Sequence, residues 1–163
     1  MNASDRQPHH SLKLTALTGI PLVQPGDCLV SFILQSLKQT EINLKEGDIL
    51  VIAQKVVSKS EGRYVRLDNV EPSKKALELA KLTEKDPRLV ELILTESREI
   101  VRHRDGVIVV ENRQGIILAN AGIDQSNVES DNEAEQVLLL PLNPDESASN
   151  IRKQLQKKTN VNV

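Results

Sequence analysis

The chain has 163 residues, 39% of them hydrophobic, with a formal net charge of −2; that length suits one ordinary domain and is enough to bury a core. The charge balance supplies no basic field to neutralise a phosphate backbone, and Phe32 and Tyr64 are the only aromatic residues, so neither a nucleic-acid partner nor a base-stacking platform is expected. Cys28 stands alone, which excludes an internal disulfide and a cysteine-based zinc site.

Residues 1–11 read as a disordered polar tail without the apolar stretch of a secretory leader. No window approaches the roughly 18 apolar residues of a membrane span, and the expectation is a cytoplasmic protein that does not enter a membrane. His9-His10 could bind a metal in principle, but a disordered terminus gives the pair no fixed geometry.

Residues 12–17 have the pattern of a short strand leading into Thr18-Gly19-Ile20-Pro21. After Pro25-Gly26, Asp27 is a candidate cap for a helix carrying Leu29, Phe32, Ile33 and Leu37 on one face. Cys28 has no neighbouring histidine and reads as a small packing residue. Lys45-Glu46-Gly47-Asp48 turns the chain into Ile49–Ala53, whose five consecutive apolar residues predict a strand buried on both faces.

The segment from Gln54 to Arg63 follows, and Tyr64–Leu67 resumes the strand pattern. Lys55 and Lys59 at the mouth of a buried strand could meet phosphate oxygens. Solvated lysines on a hairpin are the plainer alternative, because no GxxxxGK[ST] spacing is present. Ser73 caps a predicted helix to about Leu82, and Asp86-Pro87 opens another with Leu89, Val90, Ile93 and Leu94. Glu96-Ser97-Arg98-Glu99 reads as that helix's charged end, able to reach a ligand but more simply forming local ion pairs. His103, among arginines, has no evident acid partner and receives no role.

Val107–Val110 and Ile116–Ala119 flank Asn112-Arg113-Gln114-Gly115 as a predicted hairpin. Next comes Asn120-Ala121-Gly122-Ile123-Asp124-Gln125-Ser126-Asn127, carboxamides and a carboxylate where a buried strand should surface. Such a strand end can hold a hard cation or order phosphate oxygens, or can be a polar turn. Glu129, Asp131, Glu133 and Glu135 could add a second carboxylate, although they read more readily as a solvated acidic loop. Residues 137–140 form another predicted strand, and Asp145 a cap for a helix over Glu146–Lys158. The mixture implies an α/β or α+β domain, a mixed sheet with flanking helices, over residues 12–158, with 159–163 as its end.

Taken in order, Thr18-Gly19-Ile20-Pro21, Pro25-Gly26-Asp27, Gly47–Val51, Val57-Ser58-Lys59-Ser60-Glu61-Gly62-Arg63, Asp86–Val90, Glu96–Glu99 and Asn120–Val128 resemble the coenzyme F420-0:L-glutamate ligases over roughly residues 12–158. The resemblance implies a GTP-dependent ligase, with magnesium or manganese and room for a monovalent cation. It implies addition of L-glutamate to coenzyme F420-0 through an acyl phosphate, and a homodimer. Carried over by position, Ile20, Pro21, Leu22 and Val23 would line the GTP site, Lys59 would contact phosphate, Asp124 would bind the divalent ion, and Asn127 would contact nucleotide. Gln54 stands where many members have serine; it keeps a donor and an acceptor on a longer side chain.

Family members continue past the helix equivalent to residues 146–158 into an apolar strand and a D-T-x-G-R motif that completes the metal site. The resemblance therefore implies the N-terminal portion of the family's ligase fold, an incomplete version of it whose missing segment a complementing C-terminal chain could supply. It leaves open whether this chain is an enzyme by itself. A noncatalytic nucleotide-binding or regulatory module is the alternative, and a ligase acting on another carboxylic acid is a third reading.

Overall fold

The structure is a computed structural model and describes residues 11–125 and 135–163. Helices and small antiparallel sheets alternate in it: α1 (Leu29–Gln39), α2 (Gln54–Ser60), β1 (Tyr64–Arg66), α3 (Lys74–Thr83), α4 (Pro87–Thr95), β2 (Ser97–Arg104), β3 (Val107–Asn112), β4 (Ile117–Ala119), β5 (Gln136–Leu138) and α5 (Pro144–Thr159). Among the described residues β2, β3 and β4 form one sheet in that order and β1 pairs with β5 in another, every pairing antiparallel. This is the expected mixture of helices and sheets, with a β2–β3–β4 meander and a long-range antiparallel pair in place of parallel crossovers.

Two apolar clusters hold it together. In the larger, Leu79, Ala80, Leu89, Val90 and Ile93 of α3 and α4 pack on Ile108 and Val110 of β3 and on Val137 near β1. Burial along β3 alternates, the period-2 signature of a sheet with one face on helices. In the smaller, Leu29, Val30, Ile33 and Leu37 of α1 meet Leu155 of α5.

The local signals for α3 and α4 act as read. The Ser73 hydroxyl accepts from Ala76 N at 3.2 Å and the Asp86 carboxylate from Arg88 N at 2.8 Å, each satisfying an orphan amide of a first turn. The β3–β4 turn is organised by buried Asn112, whose Oδ1 accepts from Gln114 N at 3.0 Å and Ile116 N at 2.9 Å.

Other expectations are corrected. The Asp27 carboxylate accepts from Gln24 N at 2.7 Å and closes the preceding turn, so it does not cap α1, whose N-cap position is Cys28. Cys28 is exposed rather than packed; hydrogen bonds from the Ser31 side chain and backbone hold its thiol below the usual range, opposed by desolvation. Helix α4 stops at Thr95, and Ser97, Arg98 and Glu99 open β2 instead of closing the helix. Their ion pairs are accordingly long-range: Arg98 meets Glu111 at 3.1 Å and Glu96 meets Arg63 at 3.3 Å. Asn143, two residues before Asp145, caps α5 by accepting from Glu146 N at 3.1 Å.

The largest departures concern two predicted strands. Among the described residues, 12–17 join no ladder, and Leu12 and Leu14 are exposed. Ile49–Ala53 joins none among the described residues either: Leu50 and Ile52 pack toward the α1–α5 cluster, while Ile49 and Val51 are 87% and 83% exposed. An apolar run reports affinity for burial on both faces, but only neighbouring chain can supply the second.

Candidate functional site

The segment after β4 turns sharply because Asn120, Ala121 and Gly122 have φ of 50°, 53° and 70°. Asparagine and glycine enter this left-handed region with little penalty. Alanine does so at a cost of about 1–2 kcal/mol, opposed here by burial of its methyl in the larger core. Asn120 Oδ1 accepts from Ile108 N at 3.1 Å, and Ile123 N donates back to Asn120 O at 3.0 Å.

The turn delivers Asp124 alongside β5. Asp124 N donates to Leu138 O at 2.9 Å and Leu138 N to Asp124 O at 2.8 Å, so the carboxylate stands on a backbone fixed at both hydrogen-bonding groups. Leu139 N in turn donates to Arg63 O at 3.0 Å. The end of α2, β1, β5 and the Asp124 loop thereby share one frame.

Lys55, in the first turn of α2, places Nζ 2.5 Å from Asp124 Oδ2, with side-chain exposures of 35% and 20%. The pair is partly shielded but still reaches water, where such contacts contribute at most about 1 kcal/mol. Lys59 lies one turn further along α2, and residues four apart share a helix face. Segment 54–63 is thus a short helix and turn rather than the hairpin considered from sequence. Its two lysines are directed by helical spacing, one of them onto the candidate metal carboxylate.

The remaining candidates divide. Thr18 O accepts from Ser36 Oγ at 2.6 Å, anchoring the loop 18–23 to α1. Val23 is buried in the smaller core, whereas Ile20 and Leu22 are exposed. Ile20 lines the same groove as Ala53 and Val56, which brings this loop and the start of α2 to one region. Gln54 Nε2 donates to Ser58 Oγ at 2.6 Å within α2, so its amide is engaged in the helix, and its side chain lines a separate groove with Ser147 and Arg152. Asn127, with Glu129, Asp131 and Glu133, lies outside the described residues.

Sequence reading did not identify Arg63 as a structural centre. Its Nε donates to Leu140 O at 2.9 Å, and its guanidinium pairs with Glu96, tying β1 to the segment after β5 and to the end of α4. The signal was present in the Glu61-Gly62-Arg63 run, where Gly62 has φ of 66° and ends the helix in a turn only glycine adopts freely. Glu61 similarly reaches α5 by accepting from Ser147 Oγ at 2.5 Å.

A divalent ion finds a partial fit. Asp124 offers one carboxylate at a strand end, and the described residues hold no group of three or more His, Cys, Asp or Glu able to enclose a metal. Magnesium is commonly held by one or two carboxylates together with substrate phosphates and water, so these residues can form one side of such a site.

A family model described as F420-0:Gamma-glutamyl ligase matches residues 19–163. The chain belongs to the F420-0:gamma-glutamyl ligase family. It is 45% identical over 148 residues to the coenzyme F420:L-glutamate ligase of Methanothermobacter thermautotrophicus, covering 91% of this chain and 57% of that protein. The ligase of the same name from Methanopyrus kandleri is 45% identical over 141 residues, 86% of this chain and 52% of its own length. That of Methanocaldococcus jannaschii is 44% identical over 120 residues, 74% and 46% respectively. The chain therefore spans about half the length of these ligase-family relatives. Among the described residues no helix is long and apolar enough to cross a membrane.

Proposed function

We propose that this chain forms one side of a ligase that joins L-glutamate to coenzyme F420-0 at the expense of GTP, and that catalysis requires the part of a family-length enzyme it does not span. The observation that carries this reading is the Lys55–Asp124 contact, which puts the lysine-bearing face of α2 beside the carboxylate loop.

In this reading an acceptor carboxylate oxygen attacks the γ-phosphorus of GTP and GDP leaves with the bridging oxygen. The glutamate amine then attacks the acyl carbon, phosphate departs, and the amine loses a proton to give the amide. A bound divalent ion supplies charge neutralisation for the phosphates. This chain's residues do the rest of the holding on their side. Lys59 donates to phosphate oxygens, Asp124 presents a ligating oxygen, and Lys55 exchanges its carboxylate partner for phosphate when substrate enters. The loop over Ile20–Val23 lines the nucleotide through its backbone, and Asn127 contacts it.

Titration calorimetry with GTP and Mn2+ tests this on the chain joined with its complementing half. Lys59→Met should weaken GTP by about 10–100-fold, the scale of one lost charge-assisted bond, and Asp124→Asn should remove the metal dependence. Unchanged binding in both variants contradicts the assignment. The lysine already seated on Asp124 favours one second reading, a noncatalytic nucleotide-binding or regulatory module. That module would bind GTP without metal and yield no product.

A further inference from the structure

The segment Ile49–Ala53 has the burial alternation of a β-strand and the setting of none. Leu50 and Ile52 pack toward the smaller core, while Ile49 and Val51 face outward. Among the described residues the amides and carbonyls of residues 49–52 enter no backbone hydrogen bond. An apolar strand with bare edges is a template for further pairing.

Both sides of the segment are open grooves. One, of about 540 Å3, runs between it and Pro141, Ala148, Ile151 and Leu155. The other, of about 580 Å3, lies between it and Leu14, Leu17, Leu29 and Phe32. Each has an apolar floor made by a helix and a free strand edge for a wall. A second copy of this chain could pair its own Ile49–Ala53 isologously along one edge, leaving the other groove empty. In the M. thermautotrophicus relative, whose match takes in 91% of this chain, 43% of the length lies outside the match, by subtraction from 57%, ample chain to fill both.

We infer that Ile49–Ala53 is the docking strand for the part of a family-length ligase that this chain does not span, which adds apolar strands along its two edges by β-augmentation. The inference rests on family membership and on the bare strand, and it stands whether or not the assembled protein is a ligase. Edge hydrogen bonds would give affinity, and Ile49 and Val51 would give specificity by entering apolar contacts they lack here.

The full chain is co-expressed with the portion of the M. thermautotrophicus ligase outside the matched 148 residues, and the complex is recovered through a tag on that portion. Val51→Lys and Ile49→Lys lie at exposed positions, so the free chain should keep its thermal midpoint. Recovery should fall by about tenfold or more, the scale of one apolar anchor replaced by a charge. Leu82→Lys, exposed on α3, should leave recovery unchanged. Amides 49–52 should gain hydrogen-exchange protection in the complex. Equal recovery of the Val51→Lys and wild-type chains, no complex with the wild type, or a self-dimer that Val51→Lys abolishes would each overturn the inference.

Discussion

Lys55 Nζ sits 2.5 Å from Asp124 Oδ2, joining a helix and a post-strand turn that are 69 positions apart by subtraction in the sequence. The same oxygen cannot serve an ammonium and a divalent ion equally. Lys55→Met should therefore tighten Mn2+ binding by about fivefold, the equivalent of roughly 1 kcal/mol for a partly exposed pair. Electron paramagnetic resonance of free Mn2+ reads this directly, and unchanged or weaker binding would count against competition at Asp124.

Gly122 decides whether the turn can form. Its φ is 70°, and an added Cβ would lie 2.7 Å from Leu118 Cδ1 and 2.9 Å from Leu140 Cδ1. Gly122→Ala should lower stability by about 1–3 kcal/mol through overpacking and left-handed strain. Urea unfolding measures the cost, and loss of metal affinity alongside it would show that Asp124 moves with the turn.

Asp86 gives the fold an acid-sensitive element. Arg88 holds its carboxyl below the ordinary value of 3.8, opposed by desolvation. A depressed folded-state pKa means that the stabilisation is complete above the unfolded value and disappears as pH falls through the folded one. Asp86→Asn retains a capping oxygen but not the charge. Its stability deficit relative to wild type, measured by urea midpoints, should shrink between about pH 6 and pH 2; a deficit that grows on acidification would reverse the sign.

Ile93 is fully buried between α4 and the β3 sheet. Ile93→Ala should cost about 2–5 kcal/mol, since the rigid surroundings close only part of the cavity. A loss below about 1 kcal/mol would show that this cluster collapses around the missing atoms.

What the sequence revealed follows how local each cause was. Ser73, Asp86-Pro87 and the Asn112–Gly115 turn act within a few residues, and all three worked as read. The order of polar motifs was enough to place the chain in its family. Distant causes were hidden. Nothing near Asp124 announces that Lys55 will reach it, and nothing near Glu96 announces Arg63. The apolar run at Ile49–Ala53 correctly registered a need for two-sided burial, but the described residues provide only one side. Asp27 failed as a helix cap because its own turn captured the carboxylate first. Glu96–Glu99 failed as a helix end because β3 offered Ser97 and Glu99 a ladder.

The most direct measurement of the central claim is mass spectrometry of the product formed by the chain co-expressed with the portion of the M. thermautotrophicus ligase outside the matched 148 residues, given F420-0, L-glutamate, GTP and Mn2+. A product heavier than F420-0 by one glutamyl residue, abolished by Asp124→Asn, is the predicted result. A complex that forms and binds GTP but leaves F420-0 unmodified would contradict it.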